Sequence, residues 1–117
     1  MKTFNFNGTE ILNKNQLCTA WVNFDGTDGT IRDSYNVSSV VRNAAGDYVI
    51  HFAQDMDNTA YSVVSGNSSN DDRNSNDREF NKIHTRTTKN TGVLAIGDGG
   101  TVTDCPSVFV QVFGGKN

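Results

Sequence analysis

No window of a dozen residues in this chain keeps the apolar spacing of a helix without interruption, and glycines preceded by aspartate recur at Asp25-Gly26 and Asp28-Gly29. Apolar and polar residues instead alternate with a period of two, which is typical of strands with one buried face. The sequence therefore predicts an all-β fold: a single-domain antiparallel β-sandwich of short strands joined by Gly, Asp and Asn turns.

Two segments show the alternation most clearly. In residues 47–52, Tyr48, Ile50 and Phe52 share one face. In residues 20–24, Ala20, Val22 and Phe24 do the same, so that Trp21 falls on the opposite face. We expect Trp21 to make either a second core contact or a contact with another subunit, since its large amphipathic ring suits an interface.

The last predicted strand follows Pro106, where a missing N–H is tolerated. Its valines at positions 108, 110 and 112 share one face, and Phe109 and Phe113 lie on the other. Because both faces are apolar, we expect this strand to be central in a sheet or to lie in a subunit contact. The candidate subunit-interface residues are thus Trp21, Phe109 and Phe113.

Turn signals connect the remaining strands. Residues 25–30 predict a hairpin between the Trp21 strand and the Ile31 strand, and residues 43–47 predict a second hairpin with Gly46 in the left-handed conformation. Three consecutive antiparallel strands would result. Further along, we expect a strand over residues 80–88, a hairpin or loop over 89–92, a short apolar run over 93–96 and a glycine-rich turn over 97–100.

Composition limits the possible functions. The 117 residues suffice for one domain with a real core, and the net charge of -3 argues against binding to nucleic acid. The mean hydropathy of -0.51 indicates many solvated strand faces or association between copies. No stretch approaches the roughly 18 apolar residues of a membrane span, and the N-terminus lacks the features of a secretory signal, so we expect synthesis in a cytoplasm.

Cys18 and Cys105 have neither CxxC spacing nor histidines nearby in the sequence. A disulfide between adjacent strands is geometrically possible. Two buried thiols are the alternative that we favour, because nothing in the sequence indicates secretion.

The sequence contains no recognisable catalytic constellation, and we expect neither an enzyme nor a cofactor. Most of the eleven Asp residues occupy turns, His51 and His84 are expected on strand surfaces, and no nucleophile elbow occurs. The oxygen-rich segments at 25–29 and 70–73 lack EF-hand spacing, so no metal site is predicted.

Residues 20–64 form a series of motifs: AWVNFDGT at 20–27, TIRDSYNVSSV at 30–40, GDYVIHF at 46–52 and AYSVV at 60–64. With the closing PSVFVQVFG at 106–114, this order resembles the C-terminal, receptor-binding or knob-type domain of bacteriophage tail fibre proteins. The resemblance covers residues 18–113, and residues 1–17 and 67–77 depart from it.

This resemblance implies a virion structural protein, a tail fibre or tail-fibre-like adhesin, made in the host cytoplasm. It would form a homotrimer, contact other virion proteins and bind a host-surface receptor, a glycan or a protein, without membrane insertion. Polar loops on a rigid β-scaffold suit such binding. The candidate receptor-binding residues are Asn70, Asp71, Asp72, Arg73, Asn74, Arg78 and Asp28.

An architectural role is the alternative: a capsid decoration protein, or a tail-associated assembly protein, with the same fold. Residues 1–17 would then be an attachment segment, followed by the tail-fibre-like domain over 18–117. The expected anchors of the segment are Phe4, Phe6, Ile11 and Leu12. The polar loop at 67–77 is either a binding element or an exposed tip without a function.

Overall fold

The alternating segments form ten strands in the computed structural model, which describes residues 4–6, 9–12, 17–68, 80–97 and 100–117. In chain order the strands are β1 Phe4–Phe6, β2 Thr9–Leu12, β3 Cys18–Phe24, β4 Ile31–Tyr35, β5 Val37–Ala44, β6 Asp47–Phe52, β7 Ser62–Ser68, β8 Phe80–Arg86, β9 Asn90–Ile96 and β10 Ser107–Phe113. Within these ranges, no helix is long and apolar enough to cross a membrane.

The strands from β3 onward form two antiparallel sheets of four strands each, with the orders β4-β3-β10-β7 and β5-β6-β9-β8. These are called the first and the second sheet below. The expected all-β antiparallel fold is confirmed. The last strand, β10, pairs with both β3 and β7, so it has the central position that was one of the two expected for it.

The core lies between the two sheets and consists largely of inward-facing strand residues, together with Met56, Tyr61 and Cys105 from the segments between strands. Phe24 and Tyr48 are both fully buried, and their rings meet edge to face with centroids 5.0 Å apart. Buried side chains come from β3, β6, β9 and β10, and they include Ala20, Val22, Ile50, Phe52, Val93, Ala95, Val108, Val110 and Val112.

The prediction of three consecutive antiparallel strands is wrong. The segment at 30–40 contains parts of two strands: β4 pairs with β3 in the first sheet, and β5 pairs with β6 in the second. Asn36 separates them with a φ of 55°, a left-handed conformation that asparagine adopts more readily than most residues. The chain thus crosses between the sheets at Asn36.

One turn has the conformation that the sequence predicts, and another lies a few residues away from its predicted position. Gly46 has a φ of 69° in the β5–β6 hairpin, as predicted. The loop expected at 89–92 is displaced, because β9 already begins at Asn90 and the turn is built around Thr87. The Thr87 hydroxyl accepts hydrogen bonds from the backbone N–H groups of Lys89 and Asn90, at 3.1 and 3.0 Å.

Among the residues that the structure describes, the N-terminal strands β1 and β2 pair with each other alone and form a separate two-stranded sheet. Phe4 is the register partner of Leu12, and Phe6 that of Thr9. The attachment role of this hairpin remains a prediction.

No disulfide joins Cys18 to Cys105. Cys105 is buried, as expected for a thiol, whereas Cys18 is only partly buried.

Candidate functional site

The outer face of the first sheet brings the predicted interface residues together. Trp21 pairs across strands with Tyr35 on one side and Gln111 on the other, and Gln111 pairs in turn with Val64. This row therefore crosses all four strands. Side chains directly opposite each other in such pairs are close enough to pack.

Phe109 and Phe113 belong to neighbouring rows on the same face. Phe109 is 41% exposed and Phe113 is 38% exposed, although both are large apolar side chains. Tyr35 and Val64 are more exposed still, at 57% and 55%. We call the set of Trp21, Val64, Phe109 and Phe113 the aromatic face; Tyr35 lies at its margin, at the end of the edge strand β4. Several large apolar side chains exposed on one face commonly mark an interaction site.

The Phe109 ring lies directly over the backbone of Gly66 in β7. A Cβ atom at position 66 would be 2.5 Å from Cζ of Phe109, closer than any normal contact. Gly66 is the register partner of Phe109, so the absence of a side chain there creates the seat for the ring. The orientation of one aromatic-face residue thus depends on a glycine.

The substitution Gly66→Ala is expected to lower the free energy of unfolding by about 1 kcal/mol, since the added methyl group displaces the Phe109 ring. Urea denaturation of a double-mutant cycle checks this. With Phe109→Ala as background, the same substitution should cost almost nothing, because alanine suits a strand better than glycine does. If Gly66→Ala lowers the free energy of unfolding equally with and without Phe109→Ala, the added methyl group does not act through the Phe109 ring.

A second feature is a polar network centred on Asp104, in the segment between β9 and β10. Asp104 accepts hydrogen bonds from Arg42 Nη2 at 2.8 Å, from the Gly46 backbone N–H at 2.8 Å and from the Tyr48 hydroxyl at 3.1 Å. Tyr48 also donates to the Gly26 carbonyl at 2.7 Å. Asp104 therefore ties the segment before β10 to the β5–β6 hairpin, and the Tyr48 hydroxyl extends the network to the β3–β4 turn at Gly26.

The ionisation of these groups follows from their contacts. The hydrogen bonds from Arg42 hold the pKa of Asp104 below its ordinary value, and they outweigh the opposite effect of burial. Burial raises the pKa of the Tyr48 phenol, and the hydrogen bond to Asp104 adds to that effect. Both groups therefore keep their usual charge at neutral pH.

The candidate residue Asp28 lies exposed in the β3–β4 turn, where its Oδ1 accepts a hydrogen bond from the Thr30 backbone N–H at 2.8 Å. Asp25 behaves similarly, and its Oδ1 accepts from both the N–H and the hydroxyl of Thr27. The hydroxyl hydrogen bond is the main reason that the pKa of Asp25 is lowered. These contacts confirm the turn-capping roles expected of the two aspartates.

The other predicted receptor-binding residues lie outside the described part of the chain; they are Asn70, Asp71, Asp72, Arg73, Asn74 and Arg78. Within the ranges that the structure describes, no three His, Cys, Asp or Glu side chains converge on a possible metal position.

His84 is on the outer surface of the second sheet, as expected. Its ring covers Gly92, and its Nε2 lies 3.2 Å from Asp47 Oδ1. Nδ1 lies 2.8 Å from the Thr85 hydroxyl. His51 is half-buried and faces away from the core side chains of β6. The contacts of His84 connect β8 with β6 across the intervening strand β9.

Sequence reasoning missed several residues of these sites. Val64 joins the aromatic face, Tyr35 lies at its margin, and Asp104 organises the polar network. The sequence around Tyr35 did contain a signal for the end of the strand. The strand β4 ends at Tyr35, and the next residue is an asparagine, a residue type that often begins a turn. No local signal marks Asp104, whose partners are separated from it by more than 50 residues in sequence.

No protein-family model matches this chain, and neither a curated protein nor a solved structure matches it at a significant level.

Proposed function

We propose that this protein is a bacteriophage virion structural protein, a tail fibre or tail-fibre-like adhesin. It binds a host-surface glycan without catalysis and assembles as a homotrimer. The observation that best supports this proposal is the aromatic face, where Trp21, Phe109 and Phe113 lie together on one sheet. A side of the sandwich that exposes so many large apolar side chains is suited to contact with other copies.

The positions of the phage-like motifs add support. The segments at 20–27, 30–40, 46–52 and 106–114 form strands β3 to β6 and β10, which supply most of the core. The motifs that resemble those of phage tail fibres therefore lie in the strands that form most of the core. The departures fall at 67–77 and in the N-terminal residues, where a family of adhesins has reason to vary.

The N-terminal hairpin favours the second candidate function, which is capsid decoration or tail-associated assembly. A two-stranded hairpin is at best marginally stable in water unless something packs against it. Strands β1 and β2 share no sheet with the rest of the chain, and their sequences contain Phe4, Phe6, Ile11 and Leu12. These apolar residues suit attachment to another virion protein.

Binding to purified bacterial envelope material tests the adhesin proposal. The labelled protein is incubated with lipopolysaccharide, capsular polysaccharide and peptidoglycan sacculi from a panel of bacteria. We expect saturable retention on at least one surface, with no sugar released into solution. Absence of retention on every surface would contradict adhesion and favour the assembly role, and released oligosaccharides would contradict both.

A further inference from the structure

A cleft of about 510 Å³ lies where the chain crosses between the sheets. The beginning of β3, the crossover at Asn36, the segment after β6 and the C-terminal residues line it. This volume falls within the range of about 300–1,000 Å³ that is usual for small-molecule sites. The lining residues that matter for binding are Tyr35, Gln54, Asp57 and Lys116.

Tyr35 supplies an apolar wall of the cleft. Its side chain is 57% exposed, and it lies at the end of β4, an edge strand of the first sheet. Its register partner is Trp21, so the cleft opens at the margin of the aromatic face. The C–H face of a pyranose ring packs well on such an aromatic ring, whereas the hydroxyl groups at its edge need hydrogen-bonding partners.

The remaining lining provides those partners. Lys116 Nζ donates to the Asp55 carbonyl at 2.7 Å, and Asp57 Oδ2 accepts from the Asn117 backbone N–H at 2.9 Å. An ammonium group has three donors and a carboxylate has about four acceptor positions, so both groups keep capacity for a ligand. The exposed Gln54 amide can both donate and accept.

The charges of this lining favour a neutral ligand. One cation, Lys116, and one anion, Asp57, face the same space. A phosphate or another strongly anionic group would gain from the lysine and lose against the carboxylate. A sugar hydroxyl gains from both, because it donates to one and accepts from the other.

The backbone around the cleft is held in place by the Asn36 side chain. Its Nδ2 donates to the Thr19 carbonyl at 3.1 Å and its Oδ1 accepts from the Gln54 N–H at 2.7 Å. On the other side, the Asp57 N–H donates to the Gly115 carbonyl at 2.7 Å. The walls are therefore fixed before a ligand arrives, which lowers the entropic cost of binding.

From these features we infer that the cleft binds one or two residues of a neutral glycan. Tyr35 stacks on the sugar ring, and Gln54, Asp57 and Lys116 bind its hydroxyl groups. This inference rests on the proposed adhesin function and assigns a receptor contact that is separate from Asp28 and from the loop at 67–77.

Chemical-shift mapping tests the inference directly. The uniformly labelled protein is titrated with the methyl glycosides of glucose, galactose and N-acetylglucosamine at millimolar concentrations. We expect saturable shifts of the amides of Tyr35, Gln54 and Lys116 with at least one sugar. Tyr35→Ala should weaken that binding about tenfold, whereas Val41→Ala, an exposed apolar position on the second sheet, should leave it unchanged.

The other outcomes overturn either the cleft inference or the adhesin proposal. Absence of shifts at the cleft with all three sugars, or shifts only elsewhere, overturns the inference, and so does a response to inorganic phosphate alone. Envelope retention that persists in a Tyr35→Ala protein with a native spectrum overturns the cleft but leaves the adhesin proposal intact. Glycoside shifts at the cleft without envelope retention contradict the adhesin proposal only.

Discussion

Replacing Asp104 by alanine is expected to lower the free energy of unfolding by about 3 kcal/mol. The substitution leaves the Gly46 N–H, the Tyr48 hydroxyl and the Arg42 guanidinium without their shared acceptor. Tyr48 keeps its bond to the Gly26 carbonyl, so the loss is smaller than the sum of three separate bonds. Urea denaturation monitored by Trp21 fluorescence measures the difference.

The contribution of Asp104 should also depend on pH in a defined direction. Its pKa is lowered in the folded state, mainly by the hydrogen bonds from Arg42, so its stabilising effect is fully present above the unfolded pKa of about 4. The effect is lost as the pH falls through the lower folded pKa. The stability difference between wild type and Asp104→Asn should therefore shrink on acidification from neutral pH.

Asp55 provides the matched control. It forms an ion pair with Lys89 at 2.8 Å, but its side chain is 54% exposed. Such surface pairs contribute little, and Asp55→Ala should change the free energy of unfolding by less than about 0.5 kcal/mol. Similar costs for the two alanine substitutions would show that the Asp104 network does not hold the hairpins together.

Much of the fold follows from local patterns in the sequence. The valines at 108, 110 and 112 alternate with Phe109 and Phe113, and this arrangement predicted a strand that is either central or in a subunit contact; the structure shows it to be central. The glycine-containing turn at Gly46 likewise specified its hairpin. Each of these two signals comes from a few neighbouring residues. The packing of the two sheets against each other favours the same local conformations.

Features that depend on contacts between residues far apart in the sequence could not be predicted from local patterns. The run at 30–40 looks like one strand, since nothing local reveals that Asn36 bonds to Gln54 and Thr19 and turns the chain into the other sheet. The cleft has the same origin, because its walls come from four separate segments. The outward position of Trp21, by contrast, followed directly from alternation.

Removing two aromatic side chains of the central strands, by Trp21→Ser together with Phe109→Ser, is expected to convert the proposed homotrimer into monomers at micromolar concentration. Buried aromatic anchors contribute about 2 kcal/mol each or more to an interface, so the pair should weaken association by several hundredfold. Both side chains point away from the core, and Phe109 is 41% exposed in a single chain. Sedimentation equilibrium of the wild type and the variant checks the result.

Phe80→Ser is the appropriate comparison, because Phe80 is 51% exposed but lies on β8, an edge strand of the second sheet. If general surface hydrophobicity drives association, this variant should dissociate as well; if the aromatic face does, it should remain trimeric. Trp21, Val64, Phe109 and Phe113 share the outer face of the first sheet, whereas Phe80 pairs with Ile96 at the edge of the second sheet. We therefore expect only the aromatic-face variant to be monomeric, and a wild type that is already monomeric at micromolar concentration would contradict the trimer outright.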